Sequence, residues 1–194
     1  LRNSDYVFFD SGYFVLLLRI LKNIRVKKFS GYLFLKLFFK HFKKNKNVKI
    51  LSVDPSVAHS KKNKLFFINL GINKNKVFNY ISPIYNTSKI EDKNLLEITN
   101  KFKPNFIILN LGGGVQEILG LYLKDNLKVK TSIFCTGGAI AFFTGQQAPI
   151  NKFFDNFYLG WFIRILFNPK IFLFRYLKAF RLIFLVIKEK IVIR

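Results

Sequence analysis

Three glycine-bearing turns hold the residues of this chain best placed to do chemistry. Gly112-Gly113-Gly114 separates a continuous apolar run, Phe106 to Leu111, from a stretch that opens with Val115, Gln116 and Glu117. Consecutive glycines between a strand and a helix let backbone N–H groups approach an anion, and the helix dipole adds attraction. A glycine at a strand end is equally the mark of a tight turn. The spacing is not the G-x-G-x-x-G of a dinucleotide fold, and no G-K-[ST] follows. Gln116 and Glu117 fall in the first turn of the next helix, where they can point into a crevice. Thr136-Gly137-Gly138 follows a second apolar run, and Asp10-Ser11-Gly12 a third. An aspartate so placed can act as a general base or cap the following helix. Cys135 ends an apolar run and reads as a small buried residue, not a nucleophile. His41 and His59 stand in basic, loop-like surroundings and read as exposed. No D-x-D pair occurs among the 10 acidic residues, so no carboxylate pair for a metal ion is expected.

An alternating fold would bring these turns together. Tyr6 to Phe9, Ile50 to Val53, Leu65 to Leu70, Lys76 to Ile81, Phe106 to Leu111 and Thr131 to Cys135 read as short buried strands. Helical spacing covers Tyr13 to Lys22, the stretch after Gly31 through Phe34, Leu35, Phe38, Phe39 and Phe42, Glu91 to Phe102, and Val115 to Leu123. Asp54-Pro55-Ser56 is a plausible helix start. The expected class is α/β: a Rossmann-like, mostly parallel sheet with helices on both faces, plus a basic amphipathic C-terminal helical appendage. Ligands of such sheets sit at the carboxyl ends of the strands, so all three turns are expected to face one crevice. The expected division is an α/β domain over residues 1–157 and the appendage over residues 158–194.

Several stretches, in order, resemble the WecG/TagA/CpsF glycosyltransferases (glycosyltransferase family 26). Lys103-Pro104-Asn105 through Gly112, then Gly113 to Glu117, is similar to their "kPd…vglGxPxQE" signature. Thr136 to Gly145 resembles "vGgxfdflaG", and Gln147-Ala148-Pro149 resembles "rAP". Leu159-Gly160-Trp161 to Arg164, Asn168-Pro169-Lys170 and Arg175-Tyr176 resemble the "LEWlyRl…eP.R…RY" tail. Upstream, Ser4 to Gly12 resembles "aDlvlpDG", Lys27 to Gly31 resembles "eRvtG", and Ser82 to Tyr85 resembles "aPfy". Several departures stand out. Lys28 replaces an arginine and loses its planar fork. Gly114 replaces a proline, and Gly160 a glutamate. The family's first strand, with its Thr-x-Asn motif, has no counterpart, and the chain lacks methionine even at position 1, so the amino end of the domain is expected to be missing.

The resemblance implies an inverting transferase that moves an N-acetylmannosamine-type sugar from a UDP-sugar to a polyprenyl-diphosphate-linked sugar, in cell-surface polysaccharide or teichoic acid synthesis. No cofactor is implied beyond the donor substrate. Asp10 becomes the candidate base, and Gln116 a catalytic-site residue contacting the donor. Ser11, Gly12, Lys28, Gly112, Gly113, Gly114, Glu117 and Gly137 become candidate substrate contacts. Arg164, Lys170 and Arg175 match tail positions credited with holding the nucleotide diphosphate, a task suited to bidentate arginine. Their alternative is the solvated face of a surface helix.

Composition bears on partners. Formal net charge is +23 at pH 7, with 51% hydrophobic and 18% aromatic residues. So basic and aromatic a chain is a folded seeker of polyanions, not a disordered tail, although over-use of Lys, Asn, Ile and Phe also marks AT-rich coding sequence. The aromatics gather in apolar runs and do not alternate with Lys and Arg, which argues against a base-stacking nucleic-acid binder. From Lys170 on, Arg175, Lys178, Arg181 and Lys188 share a sector of roughly 140° at about 100° per residue, with apolar residues filling much of the rest. Such a helix lies on an anionic membrane surface, which a lipid-linked acceptor would require. No uncharged stretch is long enough to span a bilayer. One cysteine and no disulfide framework point to the cytoplasm, so the expected location is peripheral, on the inner face of the cell membrane. Family members are described as self-associating, so a homo-oligomer is also expected. The alternative readings are a catalytically impaired relative that still binds membrane and, more remotely, a basic nucleic-acid binder.

Overall fold

A computed structural model describes residues 3–42, 47–86, 88, 90–147, 166, 169 and 177–189. The main chain forms α1 (Gly12–Lys22), α2 (Gly31–Phe42), β1 (Ile50–Asp54), α3 (Val57–Asn69), β2 (Val77–Ile81), α4 (Lys93–Phe102), β3 (Phe106–Leu109), α5 (Val115–Asn126), β4 (Ser132–Cys135), a 3-10 segment (Gly137–Phe142) and α6 (Arg181–Lys188). The four strands form one parallel sheet in the order β2-β1-β3-β4. Two compact units result. One comprises Leu1–Val7 and Gly31–Gln147, the other Phe8–Ser30 and Ala148–Arg194.

In the first unit the pleat sends alternate residues to opposite faces. Ile50, Val77 and Ile108 meet Leu35 and Phe39 of α2 and Phe67 of α3. Leu51, Val53, Ile107 and Leu109 meet Leu95 of α4 and Leu119 and Leu123 of α5. The expected parallel sheet covered on both faces is therefore present. The aromatic runs pack this core: Phe38 sets its ring edge-on to Phe106 and Phe134, each at 5.0 Å. Helix starts are capped by side chains. Ser56 caps α3, and Asp92 caps α4 through Leu95 N–H at 2.8 Å. The buried Asp92 carboxylate also accepts from Tyr80 and Tyr85 hydroxyls. Burial, and then Asp92, push the Tyr80 hydroxyl up to about 12 and that of Tyr85 further.

Two expected strands are absent. Leu65 to Leu70 is the end of α3 and its cap, where Ser60, Asn63 and Phe67 form the buried face. A short continuous apolar run does not distinguish strand from buried helix, and here the Ser56 cap decides the outcome. Tyr6 to Phe9 is extended chain without a ladder, and all four residues are exposed. Phe8 instead lays its ring 5.0 Å from Phe29, and Phe9 O accepts from Phe29 N–H.

The second unit pairs α1 with α6. Leu17 and Leu18 bury against Val186, with Leu182 and Ile183 alongside. Lys22 Nζ donates to Ile187 O at 3.0 Å, a cation on the last turn of α6. Ser11 caps α1 by accepting from Phe14 N–H, and Asn23 ends it in the left-handed region at φ 53°. The basic amphipathic helix expected near the carboxyl end is represented by α6.

Candidate active site

Strand order fixes where a ligand would sit. From β1 the chain crosses to β2 on one side and then to β3 on the other, so connections diverge between β1 and β3. In open parallel sheets that divergence opens a crevice at the carboxyl ends of the two strands. Here β1 ends in Asp54, and Asn110 follows β3, held by its N–H to Val53 O at 3.0 Å.

Asp54 is fully buried, on the face where Ile50 and Ser52 precede it. Its Oδ1 accepts from Ser52 Oγ at 2.8 Å, Asn63 Nδ2 at 2.7 Å and Asn110 Nδ2 at 2.9 Å. Its Oδ2 accepts from Asn79 Nδ2 at 2.8 Å. Four neutral donors, from β1, β2, α3 and the end of β3, thus converge on one carboxylate. Hydrogen bonds to a carboxylate are about twice as strong as neutral ones, so four of them hold this side chain firmly in place. Each asparagine has spent its amide nitrogen on Asp54 and buries its Oδ1 without a partner.

Beside this cluster lies a cavity of about 250 Å³, lined by Asn63 and Asn110, backbone at Gly112 and Gly138, apolar Ile140 and Ala141, and the polar His59, Gln146 and Gln147 among others. Among the described residues that line it none is Lys or Arg, in a chain that carries 33 of them. Such a lining suits an uncharged group rich in hydroxyls or amides better than a diphosphate. His59 was expected to be exposed in a loop. It is instead half-buried in the first turn of α3, with Nδ1 2.8 Å from Ser56 Oγ.

The two glycine turns of this unit are joined by one side chain. Gln116 is buried, and its Oε1 accepts from Gly137 N–H at 2.7 Å while its Nε2 donates to Glu117 Oε1 at 2.9 Å. Glu117 Oε2 accepts from Gly114 N–H at 2.5 Å, half of a capping box at the start of α5. Gly114 at φ +91° and Gly137 at φ +57° take conformations that side chains disfavour. The turns after β3 and β4 are therefore clasped, Gly112 and Gly138 facing the cavity and Gly114 and Gly137 facing Gln116 and Glu117. Gly113 is exposed, with open space where a Cβ would stand.

Cys135 is exposed as a residue, but its thiol turns inward and donates to Gln116 O at 3.4 Å. Burial, and then the Glu117 charge, push that thiol up to about 11. Such a thiol is a poor nucleophile at neutral pH.

Asp10, Ser11, Gly12 and Lys28 belong to the second unit. Ser11, not Asp10, caps α1, so the exposed Asp10 carboxylate is not consumed in capping. Arg164, Lys170 and Arg175 lie outside the described residues. Among the described residues no three His, Cys, Asp or Glu side chains gather to hold a metal ion, and no helix is long and apolar enough to cross a membrane.

Sequence reasoning missed Asp54 and its three asparagines. A signal was available: Ser52 and Asp54 place polar groups at period two on one face of an otherwise apolar strand, at its carboxyl end. The family model described as the Glycosyl transferase WecG/TagA/CpsF family matches residues 1–194. No curated protein matches the chain.

Proposed function

Because the chain belongs to the WecG/TagA/CpsF family of glycosyltransferases, enzymes of cell-surface polysaccharide synthesis, we propose that it moves an N-acetylmannosamine-type sugar from a UDP-sugar to a lipid-diphosphate-linked acceptor. The observation that carries this reading is the amide-lined cavity at the divergence between β1 and β3, with no Lys or Arg among its described lining residues. It suits the uncharged part of a sugar nucleotide, leaving the diphosphate to basic groups elsewhere, with Arg164, Lys170 and Arg175 as candidates. Asp10 is the proposed base: its carboxylate takes the proton of the acceptor hydroxyl as that oxygen attacks the anomeric carbon from the side opposite the leaving diphosphate. Gln116 acts by holding the two glycine turns in register.

The acceptor's lipid implies work at a membrane surface. In its support, Leu177, Phe180, Phe184 and Ile187 are spaced to share one side of a helix and are all exposed, while Val186 is buried against α1. Arg181 and Lys188 lie along one edge of that apolar side, where they can meet anionic headgroups.

The test is transfer by the purified full chain from UDP-N-acetylmannosamine to a lipid-diphosphate-linked sugar in vesicles. Asp10→Asn should slow turnover by ~100-fold or more, with an unchanged unfolding midpoint. Failure of the parent chain to transfer from that donor, or from a panel of other UDP-sugars, overturns the reading.

A further inference from the structure

The second unit carries a cavity of its own, of about 220 Å³, lined by Val15, Leu16, Arg19, Ile24, Arg25 and Val26. Its origin is local. Val15, Leu16 and Arg19 occupy one side of α1, at helical spacing. Asn23 adopts the left-handed conformation and Ile24 N–H returns to Leu18 O at 3.0 Å, so the chain reverses and Ile24 to Val26 runs back beside the helix. Four apolar residues and two arginines thus line one concavity, with no Asp or Glu among its described lining residues. Among the described residues the side chain of neither Arg19 nor Arg25 takes a hydrogen-bond or ion-pair partner. Lys22, between them in sequence, is already committed to Ile187 O.

The surroundings share this character. In the described part of the unit, five Lys and three Arg stand against two carboxylates, Asp10 and Glu189. Ile20 and Leu21 of α1 are exposed, as are Phe184 and Ile187 of α6. An arginine pair set in an apolar cup calls for a ligand with an anionic, phosphate-like head and an apolar body. Guanidinium binds phosphate through two parallel N–H groups, which a lysine cannot reproduce.

We propose that Arg19 and Arg25 form a headgroup site for an anionic phospholipid of the membrane surface, with Val15, Leu16, Ile24 and Val26 receiving the adjoining acyl region. It rests on the reading that this unit meets a membrane, and deepens it from general charge attraction to a discrete site.

Flotation of the full chain with phosphatidylglycerol–phosphatidylcholine vesicles, without any donor sugar, tests it. The parent chain should bind these and not pure phosphatidylcholine. Arg19→Gln/Arg25→Gln should weaken binding by ~30-fold or more, beyond the loss in the equal-charge control Lys27→Gln/Lys178→Gln. The decisive variant is Arg19→Lys/Arg25→Lys, which keeps both charges: a headgroup site predicts a loss of ~5-fold or more, plain charge attraction none. Circular dichroism checks that each variant folds, and both arginines are exposed. Undiminished binding by the lysine pair, or equal losses in the two glutamine pairs, overturns the site and leaves the membrane reading standing. No vesicle binding by the parent chain overturns both. Binding of inorganic phosphate as tight as that of vesicles would make this a free-anion site and defeat the lipid assignment.

Discussion

Asp54 makes the sharpest demands of any residue in the first unit. Its carboxylate is the shared acceptor of four donors from four elements, and no isosteric replacement supplies four acceptor positions. Asp54→Asn keeps the volume but turns an amide N–H₂ toward other donors. The expected loss is ~3 kcal/mol of unfolding free energy, read from the urea midpoint. An unchanged midpoint would mean that the cluster is not held as described. Asp54 was hard to find in advance because its donors lie up to 56 positions away and only the sheet assembles them. In a chain so rich in Asn and Lys, an isolated Asn63, Asn79 or Asn110 announces nothing. The glycine turns were easier, since glycine between an apolar run and a helix has few other uses. What those turns hold was not legible: Gln116 reads as a residue pointing into the crevice, whereas its amide is spent joining the turns to each other.

At the level of elements, α5 presses closely on the sheet at Gly120. A Cβ there would come within 3.0 Å of Cys135 Sγ and 3.4 Å of Leu109 Cδ1. Gly120→Ala gains about 1 kcal/mol of helix propensity but incurs an overpacking cost of ~1–3 kcal/mol. The expected net effect is a modest destabilisation. In a Cys135→Ala background the sulfur is gone, and the same substitution should become stabilising; chemical denaturation of the four chains gives the signs. If Gly120→Ala destabilises equally in both backgrounds, the sulfur contact is not what limits the site. Elements with clear periodicity, such as α2 with its phenylalanines, were legible as written. Leu65 to Ile68 was not, because a run of four apolar residues fits a buried strand and a buried helix alike, and the arbiter was Ser56, well upstream. Tyr6 to Phe9 has the composition of a buried strand but no strand among the described residues to pair with, and composition cannot supply one.

At the level of the whole molecule, a net charge of +23 makes any encounter with a polyanion strong at low salt and weak at high salt. The exposed apolar side chains of the second unit should therefore matter most where charge is screened. Phe184→Ser is expected to lower anionic-vesicle binding by ~10-fold at high salt, by loss of buried apolar area, and less at low salt. Equal losses at both salt levels would argue that Phe184 does not enter the membrane. The parallel sheet was legible from the alternation of strands and helices, but the composition of the second unit was not, because its two stretches are far apart in the chain. That separation sets an order of events during synthesis. Leu17 and Leu18 leave the ribosome early, whereas Val186, which covers them, follows more than 160 residues later. The sheet-bearing stretch between them is made, and free to fold, in the interval. Until α6 arrives, α1 is an uncovered apolar helix on a nascent chain, and a chaperone or a membrane surface is what would keep it from aggregating.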